Sequence, residues 1–287
     1  MSMAAPRQMW GSSVLAPLAR HAVLIALAFC MVYPVLWMVA SSFKPEQGLL
    51  NDMSIIPPSL DLFNYRDGWV ALQSTFTVFY WNSLVVAVLV VMGNLISCSL
   101  AAYAFARLKF RGKNLFFALM MATLMLPYHV TLIPQYILFL KLGWIDTILP
   151  LVVPKFFAVD AFFVFLMVQF FRSLPRDLDE AAMLDGCGPW RIYWLIILPL
   201  SKPVLATAAI FSFLWTWNDF FGPLIYLNDN AKYTVPLALR SFLDSSGQSA
   251  WGQMFAMSTL ALLPIFLFFV AFQRFIIQGV ASTGLKG

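Results

Sequence analysis

Residues 172–202 read RSLPRDLDEAAMLDGCGPWRIYWLIILPLSK. The stretch joins two long apolar runs, yet it lacks the composition of a surface loop and divides into two short helical patterns. The first starts at about Pro175, a residue suited to the first helical position. It carries Asp177, Asp179 and Glu180 where the positive end of the helix dipole favours acids, and it stops at Gly186. The second restarts at Gly188-Pro189 and carries Trp190, Ile192, Tyr193, Leu195 and Ile196 as far as Pro199. An amphipathic element of this length between membrane-length runs reads either as a docking surface or as a helical hairpin that covers helix ends.

The sequence around it is suited to lipid. Of 287 residues 61% are hydrophobic and 11% charged, against about 25% charged in soluble domains; a water-soluble globule and a disordered chain are both excluded. A spanning helix needs about 20 predominantly apolar residues. Six stretches supply them, at about 22–43, 78–105, 115–140, 148–171, 203–227 and 254–277, so the fold class is an all-α integral membrane protein with six transmembrane helices in a single domain, 1–287. The first run is too long for a signal-peptide core and is read as a retained helix. Cys30, Cys98 and Cys187 are widely spaced and odd in number, which indicates neither a disulfide framework nor a metal site. The net charge of +5 does not point to nucleic acid, because basic excess in a membrane chain collects in cytoplasmic loops. With both termini inside, 12 of the 18 Lys and Arg fall on the inner side, four of them at Arg107, Lys109, Arg111 and Lys113. The outer side then holds two long polar connections, 44–77 and 228–253.

Within the opening stretch Glu180-Ala181-Ala182, Gly186, Ile196 and Leu198-Pro199 follow the spacing E-A-A-x3-G-x9-I-x-L-P. This resembles at every position the signature of permease subunits of binding-protein-dependent ABC importers. Seven specified positions coincide by chance with odds on the order of one in a million. The runs Leu126-Pro127 with Ile133-Pro134 and Tyr136, Trp217-Asn218-Asp219-Phe220 with Pro223-Leu224, and the ending Gly284-Leu285-Lys286-Gly287 are similar to the shorter, VKG-ending permease of the maltose-type carbohydrate family.

That resemblance implies a type I ABC importer permease fold in a bacterial cytoplasmic (inner) membrane, with a cytoplasmic coupling helix, here Glu180, Ala181, Ala182, Leu184, Asp185 and Gly186. It implies a second homologous permease, two cytoplasmic ATPase subunits that bind ATP and Mg, an extracytoplasmic solute-binding protein, and a carbohydrate moved by alternating access. The outer tip Asp244-Ser245-Ser246-Gly247-Gln248 corresponds to a loop that reaches the binding protein, or is a plain exposed turn. Other small solutes, such as glycerol phosphate or an amino acid, form the alternative, and a stand-alone secondary transporter a more remote one.

The residues themselves argue against an enzyme. Gly112-Lys113 is followed by Asn114 and lacks the earlier glycine of a phosphate loop, no H-E-x-x-H or G-x-S-x-G occurs, and His21 and His129 stand alone. The chain itself is expected to hold no cofactor and no metal. Polar groups at membrane depth are costly and mark a pathway or helix packing. They are Asn82, Asn94, His129, Gln135, Asp160, Asn218 and Asp219. Pro127 and Pro134 break the third run near Tyr128, His129 and Gln135, where a pathway lining is expected. Trp215 and Trp217 with Asn218 and Asp219 offer rings for a pyranose face and polar partners for its hydroxyls. Lys155 lies five positions before Asp160, too far for a same-face pair on a regular helix.

Overall fold

The computed structural model describes residues 12–46, 49, 52–57, 60, 62–244 and 250–284. It divides into two compact units, Met1–Gly68 with Ala250–Thr259, and Trp69–Ser249 with Leu260–Gly287. Helices α1 (Ser12–Ser41), α2 (Phe63–Val70) and α14 (Trp251–Gly284) contribute to the first, and the last two also run into the second. In the first unit the buried Asn64 amide donates to the carbonyls of Ser42 (3.0 Å) and Lys44 (2.8 Å). The Glu46 carboxylate accepts the backbone N–H groups of Trp251 and Gly252 at 2.9 and 2.8 Å. Those are donors that the start of α14 cannot satisfy within itself.

The second unit holds α3 (Phe76–Arg107), α4 (Lys113–Thr123), α5 (Tyr128–Lys141), α6 (Leu149–Val152), α7 (Ala161–Ser173), α8 (Asp177–Leu184), α9 (Pro189–Ile192), α10 (Leu198–Leu200), α11 (Lys202–Trp217), α12 (Phe221–Tyr226) and α13 (Val235–Asp244). Among the described residues four helical segments are long and apolar enough to cross a membrane, Pro17–Ser41, Phe76–Arg107, Leu149–Ser173 and Trp251–Gln273. A fifth is reached if Pro189–Leu200 and Lys202–Trp217, bent by 76°, count as one. The six expected runs therefore do not become six unbroken helices. The run at 115–140 is divided into α4 and α5 by residues 124–127, with Pro127 extended at φ −61°, ψ 133° just before α5. The run at 203–227 breaks after Trp217 and resumes as α12.

Small residues set the packing of α3. Cys98, Ala102 and Ala106 let α7 approach closely through Phe163, Val164, Met167 and Phe171, and Tyr193, Ile197, Val204 and Ala208 complete the same core. At Gly93 an added Cβ would stand 2.9 Å from the Phe156 ring and 3.1 Å from the Lys155 backbone. Only glycine lets the 3-10 turn Val153–Phe157 lie against α3. Cys98 is buried, Cys187 half-buried and Cys30 exposed on α1; all three are free.

In the connection 228–253 the described residues include a helix, α13. Val235, Leu237, Ala238 and Phe242 of α13 are buried, and the Val235 N–H donates to Ser83 Oγ at 2.8 Å. Asn82 donates to the carbonyls of Ala231 and Tyr233. Asp146, at φ 61°, accepts the N–H groups of Asn228 and Asp229 at 2.9 and 3.0 Å and pairs with Lys232. Lys232 and these two amides hold the Asp146 carboxyl down to about 2, and the same pairing raises the Lys232 ammonium.

Candidate functional site

Helix α8 begins two residues later than Pro175, because the Arg176 carbonyl takes the first bonds, from the N–H groups of Asp179 (2.9 Å) and Glu180 (3.2 Å). It ends in a Schellman motif: the Cys187 N–H donates to the Ala182 carbonyl at 2.9 Å and the Gly186 N–H to that of Met183 at 3.0 Å. Gly186 stands at φ +80°, the left-handed region that this motif needs and that glycine enters freely. The two alanines differ in role. Ala182 is buried against the core, whereas Glu180, Ala181, Met183, Asp185 and Gly186 are exposed and Leu184 is 90% exposed. The outward surface of α8 thus carries acids at Asp177, Glu180 and Asp185, the small Ala181, and apolar side chains at Leu178, Met183 and Leu184, beside a sharply turned end.

What holds α8 in place was not apparent from the sequence. Arg107, the last residue of α3, donates from Nη1 to Asp179 Oδ2 at 2.9 Å and from Nη2 to the Leu174 carbonyl at 3.0 Å. Arg176 donates to the Ala106 carbonyl at 3.2 Å, Tyr103 Oη to the Pro189 carbonyl at 3.0 Å, and the hydroxyls of Ser99 and Tyr193 lie 2.8 Å apart. Read along the chain, Arg107 is one more inner-side cation and Asp179 one more helix-start acid. The available signal was that both charges fall within a few residues of apolar runs.

The fourth run is not a regular helix. Ala158 at φ 52° and the non-helical Asp160 bring residues 155 and 160 together, and Lys155 Nζ sits 2.9 Å from both carboxylate oxygens of Asp160. The expectation that five residues separate them too far is corrected, since it assumed helical geometry. The Lys155 carbonyl accepts the Ser97 hydroxyl at 2.7 Å, and Asn94 donates to Ser212 Oγ at 3.0 Å.

The expected pathway residues fall into separate settings. His129 is exposed at the start of α5 with its ring 6.0 Å from that of Phe221; Gln135 is half-buried nearly two turns on, and the Tyr128 side chain lies outside the described residues. Asp219 accepts the Gly222 N–H at 3.1 Å, just before α12. Asn218, although exposed, donates to the Leu214 carbonyl of its own helix at 2.8 Å. Trp215 is exposed and packs on Phe162 and Phe163 beside Asp160. Trp217 is 2% exposed, its indole N–H donating to the Ala261 carbonyl at 3.1 Å and its ring against Tyr80 and Phe213. Asp244 is the last residue of α13, and Ser245, Ser246, Gly247 and Gln248 lie outside the described residues. Among the described residues no group of three or more His, Cys, Asp or Glu is placed to hold a metal ion.

Residues 93–282, which include α8 and the Lys155–Asp160 pair, match the family described as "Binding-protein-dependent transport system inner membrane component". The chain belongs to this family. The arabinooligosaccharides transport system permease protein AraQ of Halalkalibacterium halodurans is 34% identical over 264 residues, covering 91% of this chain and 93% of its own. The sn-glycerol-3-phosphate transport system permease protein UgpE of Brucella abortus is 32% identical over 270 residues, 92% and 95% of the two chains. A crystal structure of a bacterial ABC transporter involved in import of the acidic polysaccharide alginate contains a chain of the same fold. The TM-score is 0.80 at 22% identity, over 96% of this chain and 100% of that one. The fold is therefore that of a type I ABC importer permease. The protein is a multi-pass inner-membrane transport component, and its relatives are permease subunits rather than enzymes.

Proposed function

We infer that the chain is one of two permease subunits of an ATP-driven carbohydrate importer and forms half of the path through the membrane. In this reading both termini are cytoplasmic, the broken runs complete six crossings, and α8 docks on one of two ATPase subunits that carry ATP and Mg. A solute-binding protein delivers substrate on the opposite side. The observation that carries the reading is α8 itself: an acid and a low-profile alanine displayed outward, a sharp Gly186 end, and a buried attachment to the end of α3. A carboxylate beside a small residue suits a cleft that offers an Arg or Lys. ATP-driven closure of the two ATPases then biases the paired permeases between inward- and outward-facing states.

The relatives' names favour carbohydrate, and the one named for sn-glycerol-3-phosphate favours a phosphorylated polyol as the second reading. Tagged chain should co-purify a second permease and an ATPase from the native membrane. Glu180→Lys should release the ATPase while the two permeases stay together. A chain that transports solute alone in liposomes overturns the reading. Binding of a panel of oligosaccharides and polyol phosphates to the cognate solute-binding protein separates the two substrate classes.

A further inference from the structure

The contacts behind α8 lie on one stripe of α3. Ser99, Tyr103 and Arg107 are spaced four residues apart, so they stack on a single face of the helix, and all three are buried. Each reaches a different part of the inner segment: Ser99 the Tyr193 hydroxyl, Tyr103 the Pro189 carbonyl, and Arg107 both Asp179 and the Leu174 carbonyl. Arg107 and Asp179 are each 8% exposed. A buried ion pair is a poor source of net stability, because desolvation offsets the attraction, but it fixes geometry. The planar guanidinium does so here at two points. One nitrogen holds the first turn of α8 and the other holds the chain leading into it, so the angle between α8 and α3 is set by one rigid group. Lysine would keep the charge but not the fork.

We propose that the Arg107–Asp179 pair, backed by Tyr103 and Ser99, is the tie that makes α8 and α3 move as one body, so that displacement of α8 by a docked motor passes to α3 without slack. The proposal rests on the coupling role inferred for α8. Arg107, Asp179 and Tyr103 are positioning residues in this scheme; they lie beneath α8 and present nothing to the docking partner.

The test uses the complete transporter, wild type and the variants Arg107→Lys, Asp179→Asn and Tyr103→Phe, reconstituted in liposomes with its binding protein. Substrate imported per ATP hydrolysed is measured together with the amount of assembled complex. Spin labels at the exposed positions Leu184 and Arg111 report the distance between α8 and the turn that follows α3. The expected result is an import-to-hydrolysis ratio lowered at least about twofold in Arg107→Lys and Asp179→Asn. The label-to-label distance distribution should broaden in the same variants, with Tyr103→Phe intermediate. A smaller amount of complex with an unchanged ratio and an unchanged distribution means that the pair only aids folding, and overturns the proposal. If Arg107→Lys and Asp179→Asn fail to assemble, Tyr103→Phe decides by the same two readings. A wild-type chain that couples to ATP while these variants do so equally well sinks this proposal alone; a wild-type chain that binds no ATPase sinks the coupling role itself.

Discussion

Replacing Gly186 by alanine isolates the way in which α8 is terminated. Gly186 stands at φ +80°, and a Cβ added there meets nothing within 4 Å, so no clash contributes and the whole cost is conformational. The left-handed region costs a residue with a Cβ about 1–2 kcal/mol, which corresponds to about a 5–30-fold change in a local equilibrium. Two amides report on it directly, those of Gly186 and Cys187, whose bonds to the Met183 and Ala182 carbonyls define the helix end. In Gly186→Ala their hydrogen exchange, read by mass spectrometry on the purified protein, should quicken about 5–30-fold. Amides in α7 and α11 should keep their rates. Gly186→Asn should fall between the two, because asparagine enters the left-handed region more readily than alanine. If the exchange rates of all three proteins coincide, or the asparagine variant is the fastest, the backbone angle does not govern this end and the argument fails.

The tie between Asp146 and Lys232 should be insensitive to pH across the neutral range. The lowered carboxyl contributes above its ordinary value of 3.8 and loses its contribution as pH falls towards about 2, whereas the raised ammonium contributes below 10.5 and loses it only in stronger base. The melting-temperature gap between wild type and Asp146→Asn should therefore be constant from about pH 5 to 9 and close in acid. Asp160→Asn leaves Lys155 facing a neutral partner; with side chains 31% and 24% exposed, a loss between the about 1 kcal/mol of an exposed pair and the about 3 kcal/mol of a buried one is expected. Assembly should fall and should recover in Lys155→Met with Asp160→Leu, whereas normal assembly with altered substrate preference would assign Asp160 to the path. Trp217→Ala should cost about 3–5 kcal/mol through the cavity it opens and Trp217→Phe about 1 kcal/mol for the lost hydrogen bond to Ala261, both read by thermal unfolding.

Sequence periodicity located the apolar runs but not their interruptions. The runs at 22–43, 78–105 and 254–277 correspond to α1, α3 and α14, since nothing within them forces a long break. The runs containing Pro127, Pro154 and the Trp217-Asn218-Asp219 corner are broken, and hydropathy averages across such breaks. Pro34 and Pro264, by contrast, sit inside continuous helices, so proline alone does not predict a break; its surroundings decide. The stop of α8 at Gly186 was legible because glycine there meets a local backbone requirement. Arg107 with Asp179 and Lys155 with Asp160 were not. The first pair spans 72 residues and depends on how helices pack, and the second depends on the non-helical backbone at Ala158 and Asp160. Helix α13 went unnoticed because its apolar residues, although at helical spacing, sit in a connection otherwise rich in turn formers.

The 76° corner between Pro189–Leu200 and Lys202–Trp217, with Ser201 fully enclosed at its apex, has a mechanical consequence. At 1.5 Å per residue the short limb is about 18 Å long and the longer one about 24 Å. If the elbow keeps its angle while it pivots, the tip of the longer limb sweeps about one third farther than the tip of the shorter one. A displacement at the end of the shorter limb is thereby enlarged at the end of the longer one.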